Sequence, residues 1–254
     1  MTLNNWSHAL YYYIAGACHV ELYRLAKPSN PTLAAEHAQK AEELLKLVPK
    51  HTGKKRFMAK QLPFDVFSTR KIEKWQQRAD AWGCSFVDAV GVSPVEEMIL
   101  FWNGYKRMRA RHLEVSMKRL YWSDGGENRT WEREDLDEKA LLALLRASTL
   151  RSLKRFDEAR VILKNSVLCH DWATYKAIGP KADAWPCPVA HYEMAVICWM
   201  EFVGGGEADR KSLEECKVWV DKVAAWEGYD LDARFGIRIT TAKETLKKYG
   251  LTFA

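Results

Sequence analysis

Two small residues, Ala147 and Ala159, constrain this chain more than any others. They lie twelve residues apart, and after Ala159 come Ile162, Leu163, Ser166 and Val167 at steps of three, four, seven and eight. Such steps trace one face of a 3.6-residue period, which is a helix. Ahead of Ala147, the run Leu141, Leu142, Ala143, Leu144 and Leu145 is apolar nearly all round, as expected of a helix enclosed by neighbours. Helices that cross closely need tiny side chains where they touch. The segment 138–167 is therefore predicted to be an antiparallel helix pair meeting at Ala147 and Ala159.

The same reasoning runs along the chain. A first pair is expected from Trp6 to Ala26 and from Pro31 to Val48, with Asn30 as N-cap, Pro31 at the first helical position, and Gly16 and Ala34 in contact. A helix from about Asp65 to Trp82 comes next, then a loop from Gly83 to Val92. Ser93, Pro94 and Glu96 form a start signal, because Ser93 accepts from the amide of residue 96 while proline gives up no needed donor. The helix begun there is read as carrying Gly104, twelve residues before Ser116 on a partner helix from Ala110 to Ser123. Asp135 is the expected N-cap of the clearest pair. The stretch from Cys169 to Pro188, with Gly179-Pro180 and Pro186-Cys187-Pro188, is expected to be irregular. A fourth pair takes Val189 to Val203 and Arg210 to Trp226, broken at Gly204-Gly205-Gly206. The last helix, Leu231 to Tyr249, has Phe235, Ile239, Ala242 and Leu246 on one side and basic residues, among them Arg234 and Arg238, elsewhere, as a terminal cap requires. Twelve-residue spacing between small residues is the joint of a tetratricopeptide repeat, a unit of about 34 residues. The prediction is one all-α domain over residues 1–254, a tetratricopeptide-like α-solenoid of about four helix pairs with a C-terminal capping helix.

Composition supports this and removes other classes. With 14 glycines, 8 prolines, 48% hydrophobic and 28% charged residues, the chain has the makings of a folded core. Its apolar runs, such as Tyr11 to Cys18, fall short of the roughly 18–20 residues that cross a bilayer. The start lacks a signal-peptide pattern, so a cytoplasmic location, extending to the nucleus, is expected. The six cysteines are scattered, with Cys198 and Cys216 in apolar helical stretches, which reads as reduced buried thiols. A net charge of +6 demands no acidic partner.

Reactive chemistry finds little footing. Cys169-His170 with Cys187 and His191 is the one metal-like grouping, and its spacing matches no standard zinc module. No Gly-x-Ser-x-Gly elbow and no Gly-Lys-Ser/Thr phosphate cradle occurs. No catalytic residue, cofactor or metal is predicted, and the chain is expected not to be an enzyme. Two basic clusters stand out: Lys54, Lys55, Arg56 and Lys60, and Arg107, Arg109, Arg111, Lys118 and Arg119. Either would suit anionic lipid headgroups or nucleic-acid phosphates, and solvated surface is the preferred reading.

Longer strings are more individual than the repeat pattern. They are WSHALYYYIAGACHVELYR (Trp6 to Arg24), QLPFDVFSTRKIEKW ending at Trp75, VDAVGVSPVEEMILFWNG (Val87 to Gly104) and CPVAHYEMAVICWM (Cys187 to Met200). Together they resemble the C-terminal part of the fungal inclusion-body clearance proteins, related to the animal tetratricopeptide-repeat thirty-nine group. The resemblance implies a cytosolic or nuclear scaffold that associates with aggregated protein and lipid-droplet proteins, and a chain that begins inside a longer protein. It brings no catalytic or ligand motif to carry over.

In a repeat stack the first helix of each pair lines a groove. With Gly104 and Ala147 as register marks, the expected groove residues are Met98, Phe101, Tyr105 and Arg109, then Leu141, Leu144 and Arg151. That lining suits an apolar or helical segment of a partner protein, or the absent N-terminal region of the chain's own protein. It does not suit the Lys- and Asn-based clamp that grips a chaperone's terminal carboxylate.

Overall fold

The computed structural model describes residues 8–53, 56–57, 60–205 and 210–253, with backbone alone at 56, 57 and 60. The fold is all-α, with eleven α-helices among the described residues and a two-residue antiparallel ladder that pairs Arg56 with Gln61 and Phe57 with Lys60. The residues gather into two compact units, the first holding residues up to Trp102 and 118–134, the second 103–117 and everything from Asp135.

In the first unit α1 (His8–Ala26) and α2 (Pro31–His51) form an antiparallel hairpin. Asn30 caps α2, its Oδ1 accepting from the Leu33 amide at 3.1 Å, and Pro31 fills the first helical position. Gly16 lets the two backbones approach: a Cβ there would lie 2.6 Å from Leu45 Cγ. The close contact of Gly16 is thus with Leu45 and not with Ala34 as the small-residue spacing predicts, because the tight crossing lies further along α2; Ala34 and Ala41 are buried as well. Helix α3 (Pro63–Trp82) ends at Gly83, whose left-handed conformation (φ 63°) costs a residue without Cβ little. An aromatic core binds these helices. Tyr13 stacks on Trp75 at 6.1 Å and meets Phe64 edge-on at 5.6 Å, while Phe67 meets Phe101 at 5.2 Å. Lys71 and Glu97, both fully buried, lie 2.8 Å apart and tie α3 to α4 (Pro94–Phe101).

Helix α4 opens as predicted, with Ser93 Oγ accepting from the Glu96 amide at 3.3 Å. It then stops at Phe101, and Asn103 turns into the left-handed region (φ 56°). Gly104 consequently leads a 3-10 turn (Tyr105–Arg107) instead of riding on α4, so the predicted crossing of Gly104 with Ser116 is not formed. Helix α5 (Ala110–Asp124) contributes residues up to Met117 to the second unit and the rest to the first.

The second unit is built on the clearest pair, α6 (Leu136–Ser152) and α7 (Phe156–Ser166), where Ala147 and Ala159 are both fully buried. Asp135 stands at the N-cap without a side-chain cap bond. Helix α6 is enclosed on nearly every side, yet it carries hydroxyls. Ser148, Thr149 and Ser152 donate to the carbonyls of Leu144, Leu145 and Ser148, four residues back, at 2.9, 2.8 and 3.0 Å. The segment expected to be irregular holds a short helix, α8 (Trp172–Ala177), and its last residues open α9 (Pro186–Gly205). Pro186 and Pro188 lie in the first turn, where a missing N–H loses nothing. Helices α10 (Arg210–Ala224) and α11 (Asp232–Lys248) complete the unit. Phe235, Ile239 and Leu246 of α11 point inward as predicted, whereas Arg238 is partly buried, its guanidinium 4.6 Å over the Phe235 ring.

Candidate functional site

The residues predicted to line an open groove mostly form the interior. Met98, Phe101, Tyr105, Leu141, Leu144 and Arg151 are buried, and only Arg109 is exposed. The register for Met98, Phe101, Tyr105 and Arg109 requires a helix continuous through Gly104, which Asn103 breaks. Leu141 and Leu144 are fully buried on a helix that exposes little beyond Lys139. Arg151 is held inside the second unit, its Nε 2.9 Å and its Nη2 2.8 Å from Glu193 Oε2, with Nη2 also 3.1 Å from Oε1. Its Nη1 donates to Ser152 Oγ at 2.9 Å. This two-pronged ion pair joins α6 to α9 and uses the donors a partner would have needed.

The predicted basic surface divides. Lys54 and Lys55 lie outside the described residues, and Arg56 and Lys60 are described only as backbone of the ladder. Arg107, Arg109, Arg111 and Lys118 are exposed. Arg119 is engaged, its Nη1 3.1 Å from Glu96 Oε1. Among the described residues no three His, Cys, Asp or Glu side chains converge as metal ligands. Cys187 is buried, and burial pushes its thiol up to about 12. His191 Nδ1 sits 2.8 Å from the Cys187 carbonyl within the same helix, and burial, countered by that contact, holds the imidazole below its ordinary value.

The exposed apolar surface of the first unit is not evident in the sequence. Helix α1 turns Tyr11, Ile14, Cys18, Leu22 and Leu25 outward, with Leu25 67% exposed. Its two oppositely charged side chains face inward, Arg24 Nη1 lying 3.3 Å from Glu21 Oε1 with both side chains buried. The outward face of α1 therefore bears no charge. Periodicity alone does not separate the dry face from the wet one here, because α1 is apolar on its inner side too (Ala9, Tyr13, Ala17 and Val20).

Beside the C-terminal end of α1 lies a cavity of about 600 Å³. Arg24 forms its floor, stacked 3.8 Å over the Trp122 ring and donating to the carbonyls of Val90 and Gly91 at 2.6 and 3.0 Å. Tyr23 and Lys27 donate to Asp88 at 2.7 and 2.6 Å. Burial pushes the Asp88 carboxyl up, but hydrogen bonds from Lys27, Tyr23 and Ser85 outweigh it and leave the group below the usual carboxylate range. Asn128 Oδ1 accepts from the Thr130 amide and hydroxyl at 3.1 and 2.7 Å. Cys84 lines the same cavity, its thiol pushed up by burial and by Asp88, so it is a poor nucleophile. These contacts brace the C-terminal end of α1 against Asp88 and the Val90–Gly91 segment.

A profile of the family described as Iml2/Tetratricopeptide repeat protein 39 matches residues 1–153. The chain is 47% identical to the inclusion body clearance protein iml2 of Aspergillus niger over 97% of its own length and 38% of the relative's. The inclusion body clearance protein IML2 of Pyricularia oryzae is 35% identical over 96% of this chain and 37% of that protein, and its namesake from Candida glabrata 32% identical over 98% and 33%. The chain thus spans 33–38% of the length of these curated relatives. No solved structure matches it. With a profile covering more than half of the sequence and helix pairs joined through buried small residues, this chain belongs to the Iml2/tetratricopeptide repeat protein 39 family.

Proposed function

We propose that this chain is a non-catalytic protein-interaction scaffold that acts in the clearance of protein inclusion bodies in the cytoplasm and, by extension, at lipid droplets. The observation that carries the reading is the 47% identity to a protein named for inclusion body clearance, sustained over 97% of the chain. Helix pairs support it, since each repeat packs only on its neighbours and leaves outer helix faces for partners. No helix among the described residues is long and apolar enough to cross a membrane. The test is recruitment: tagged chain expressed in cells lacking the endogenous relative, with imaging of heat-induced inclusions and of their clearance time. Enrichment on inclusions and faster clearance are expected. A chain that stays diffuse in cells where the longer relative is recruited would refute the assignment for this part of the protein.

Exposed Arg107, Arg109 and Arg111 favour a second reading, attachment to an anionic lipid surface. Flotation with phosphatidylserine vesicles that weakens steeply with salt, and is lost on replacing these arginines by Gln, would establish it; salt-insensitive or absent binding would remove it.

A further inference from the structure

Within the second unit an open groove separates α9 from α11. The two helices run parallel, since Tyr192 meets Phe235 at 6.0 Å towards one end and Trp199 meets Tyr249 at 5.5 Å at the other. The groove measures about 290 Å³, and buried Cys216 and Val220 of α10 form its floor. We propose that, on the scaffold reading above, this groove docks a partner protein, and that its occupant is an extended segment carrying an internal acidic residue and, three positions away, a large apolar one.

Charge selects the partner. Among the described residues lining the groove, Lys106 and Arg238 are the charged ones, and no carboxylate joins them. The neighbouring Glu193 is already held by the Arg151 guanidinium. Burial, with Arg151 and Arg234 close by, keeps the Arg238 guanidinium below its ordinary value despite Tyr192 and Glu193, so an arriving carboxylate would favour its charged form. Neutral donors add to this. Burial pushes the Tyr192 phenol up to about 12, so it keeps its proton, and neither that hydroxyl nor the Trp199 indole N–H bonds to a described residue. Thr241 and Thr245 donate back to the carbonyls of Ile237 and Thr241 at 2.9 and 2.8 Å, which leaves their oxygens to accept from a peptide amide. A lining so rich in donors calls for carboxylate and carbonyl oxygens on the ligand.

Length selects the spacing. From Arg238 to Thr245 on α11, as from Tyr192 to Trp199 on α9, is seven residues, or about 10 Å of helix. An extended chain covers the same distance in three residues, at about 3.3 Å each. With its carboxylate at Arg238, such a segment brings a side chain three positions away to Trp199, Thr245 and the buried Leu246. A long acyl chain, although it too joins an acid to an apolar body, would overhang a groove this short.

The test is fluorescence anisotropy of the 254-residue chain with fluorescein-labelled, C-terminally amidated peptides containing Glu-Ala-Ser-Phe or Phe-Ala-Ser-Glu. One of the two orders should bind, and replacing its Glu by Gln or its Phe by Ser should weaken it about tenfold. Arg238→Gln should weaken the acidic peptide by the same factor and leave the Gln peptide unchanged. Arg238→Glu should reverse the preference, towards a peptide with Lys in place of Glu. Ala242→Leu, which narrows the groove, should abolish binding of every peptide with an unchanged circular dichroism spectrum. If the Arg238 variants perturb folding, Lys106→Glu carries the charge test instead. Binding by neither order, binding indifferent to these replacements, or tighter binding of dodecanoate than of either peptide would overturn the proposal. So would a dimer, seen by sedimentation, that Ala242→Leu dissociates, because a second copy would then fill the groove. Absent peptide binding with recruitment to inclusions intact would remove the groove and leave the scaffold reading standing; peptide binding by a chain that is never recruited would do the reverse.

Discussion

Replacing Arg151 tests whether this residue serves the core or a partner. Its guanidinium makes three contacts of 2.8 to 3.1 Å with Glu193, and the two side chains are 7% and 1% exposed. Arg151→Met leaves the Glu193 carboxylate buried and uncompensated, a loss of about 3–5 kcal/mol. For a chain of this size each kcal/mol lowers the melting temperature by about 2–4 °C, so a drop of roughly 6–20 °C is expected. Glu193→Leu strands the guanidinium and should cost a similar amount. Since both ions are then gone and their volume is kept, Arg151→Met with Glu193→Leu should return to within about 2 kcal/mol of the parent. Urea unfolding of all four proteins closes the cycle and yields the coupling free energy. Single variants that unfold within about 0.5 kcal/mol of the parent would refute the reasoning, because such values belong to exposed pairs.

Two other perturbations rest on the packing and the titration. Gly16→Ala should destabilise by about 1–3 kcal/mol, because its Cβ would sit 2.6 Å from Cγ of the fully buried Leu45, whereas Gly236→Ala on α11, with nothing within 4 Å, should stabilise by about 0.5–1 kcal/mol; equal melting shifts would negate the contrast. Asp88 has a folded pKa below its ordinary value, so its stabilising effect is complete above pH about 4 and fades as pH falls through the folded value; the melting gap between the parent and Asp88→Asn should therefore be wide at neutral pH and close in acid, and a gap independent of pH would count against the Lys27 and Tyr23 contacts.

The features legible in the sequence are local or self-repeating. Asn30 with Leu33, Ser93 with Glu96, and the Ala147–Ala159 joint each rest on residues a few turns apart, so chain chemistry alone specifies them. Gly104 misleads because a glycine twelve residues before a serine suits a crossing just as well as a helix end. The choice falls to Asn103, whose left-handed backbone no periodicity announces. Pro186 and Pro188 look like breakers although proline is equally at home in a first turn, and the apolar run after them, from Val189 onward, decides between the two. The groove residues fail for a related reason. Leu141 and Leu144 are apolar, but whether an apolar residue faces a partner or a neighbouring helix is set by distant parts of the chain. Likewise the Arg151–Glu193 pair spans 42 positions and leaves no local trace.

The backward-bonded hydroxyls of α6 have a consequence for how this unit can change. Each of Ser148, Thr149 and Ser152 has already given its proton to its own helix, so these hydroxyls ask no donor or acceptor of the surrounding helices; the outward polar bonds of α6 sit towards its ends, where Asp137 Oδ2 accepts from the Asp183 amide at 2.7 Å and Arg151 binds Glu193. Along Leu141 to Leu145, between those two polar ends, the helix is selective for the volume of its neighbours. Aliphatic exchanges of equal size around it should be freely interchangeable, while any new ion introduced there would find neither water nor an answering group.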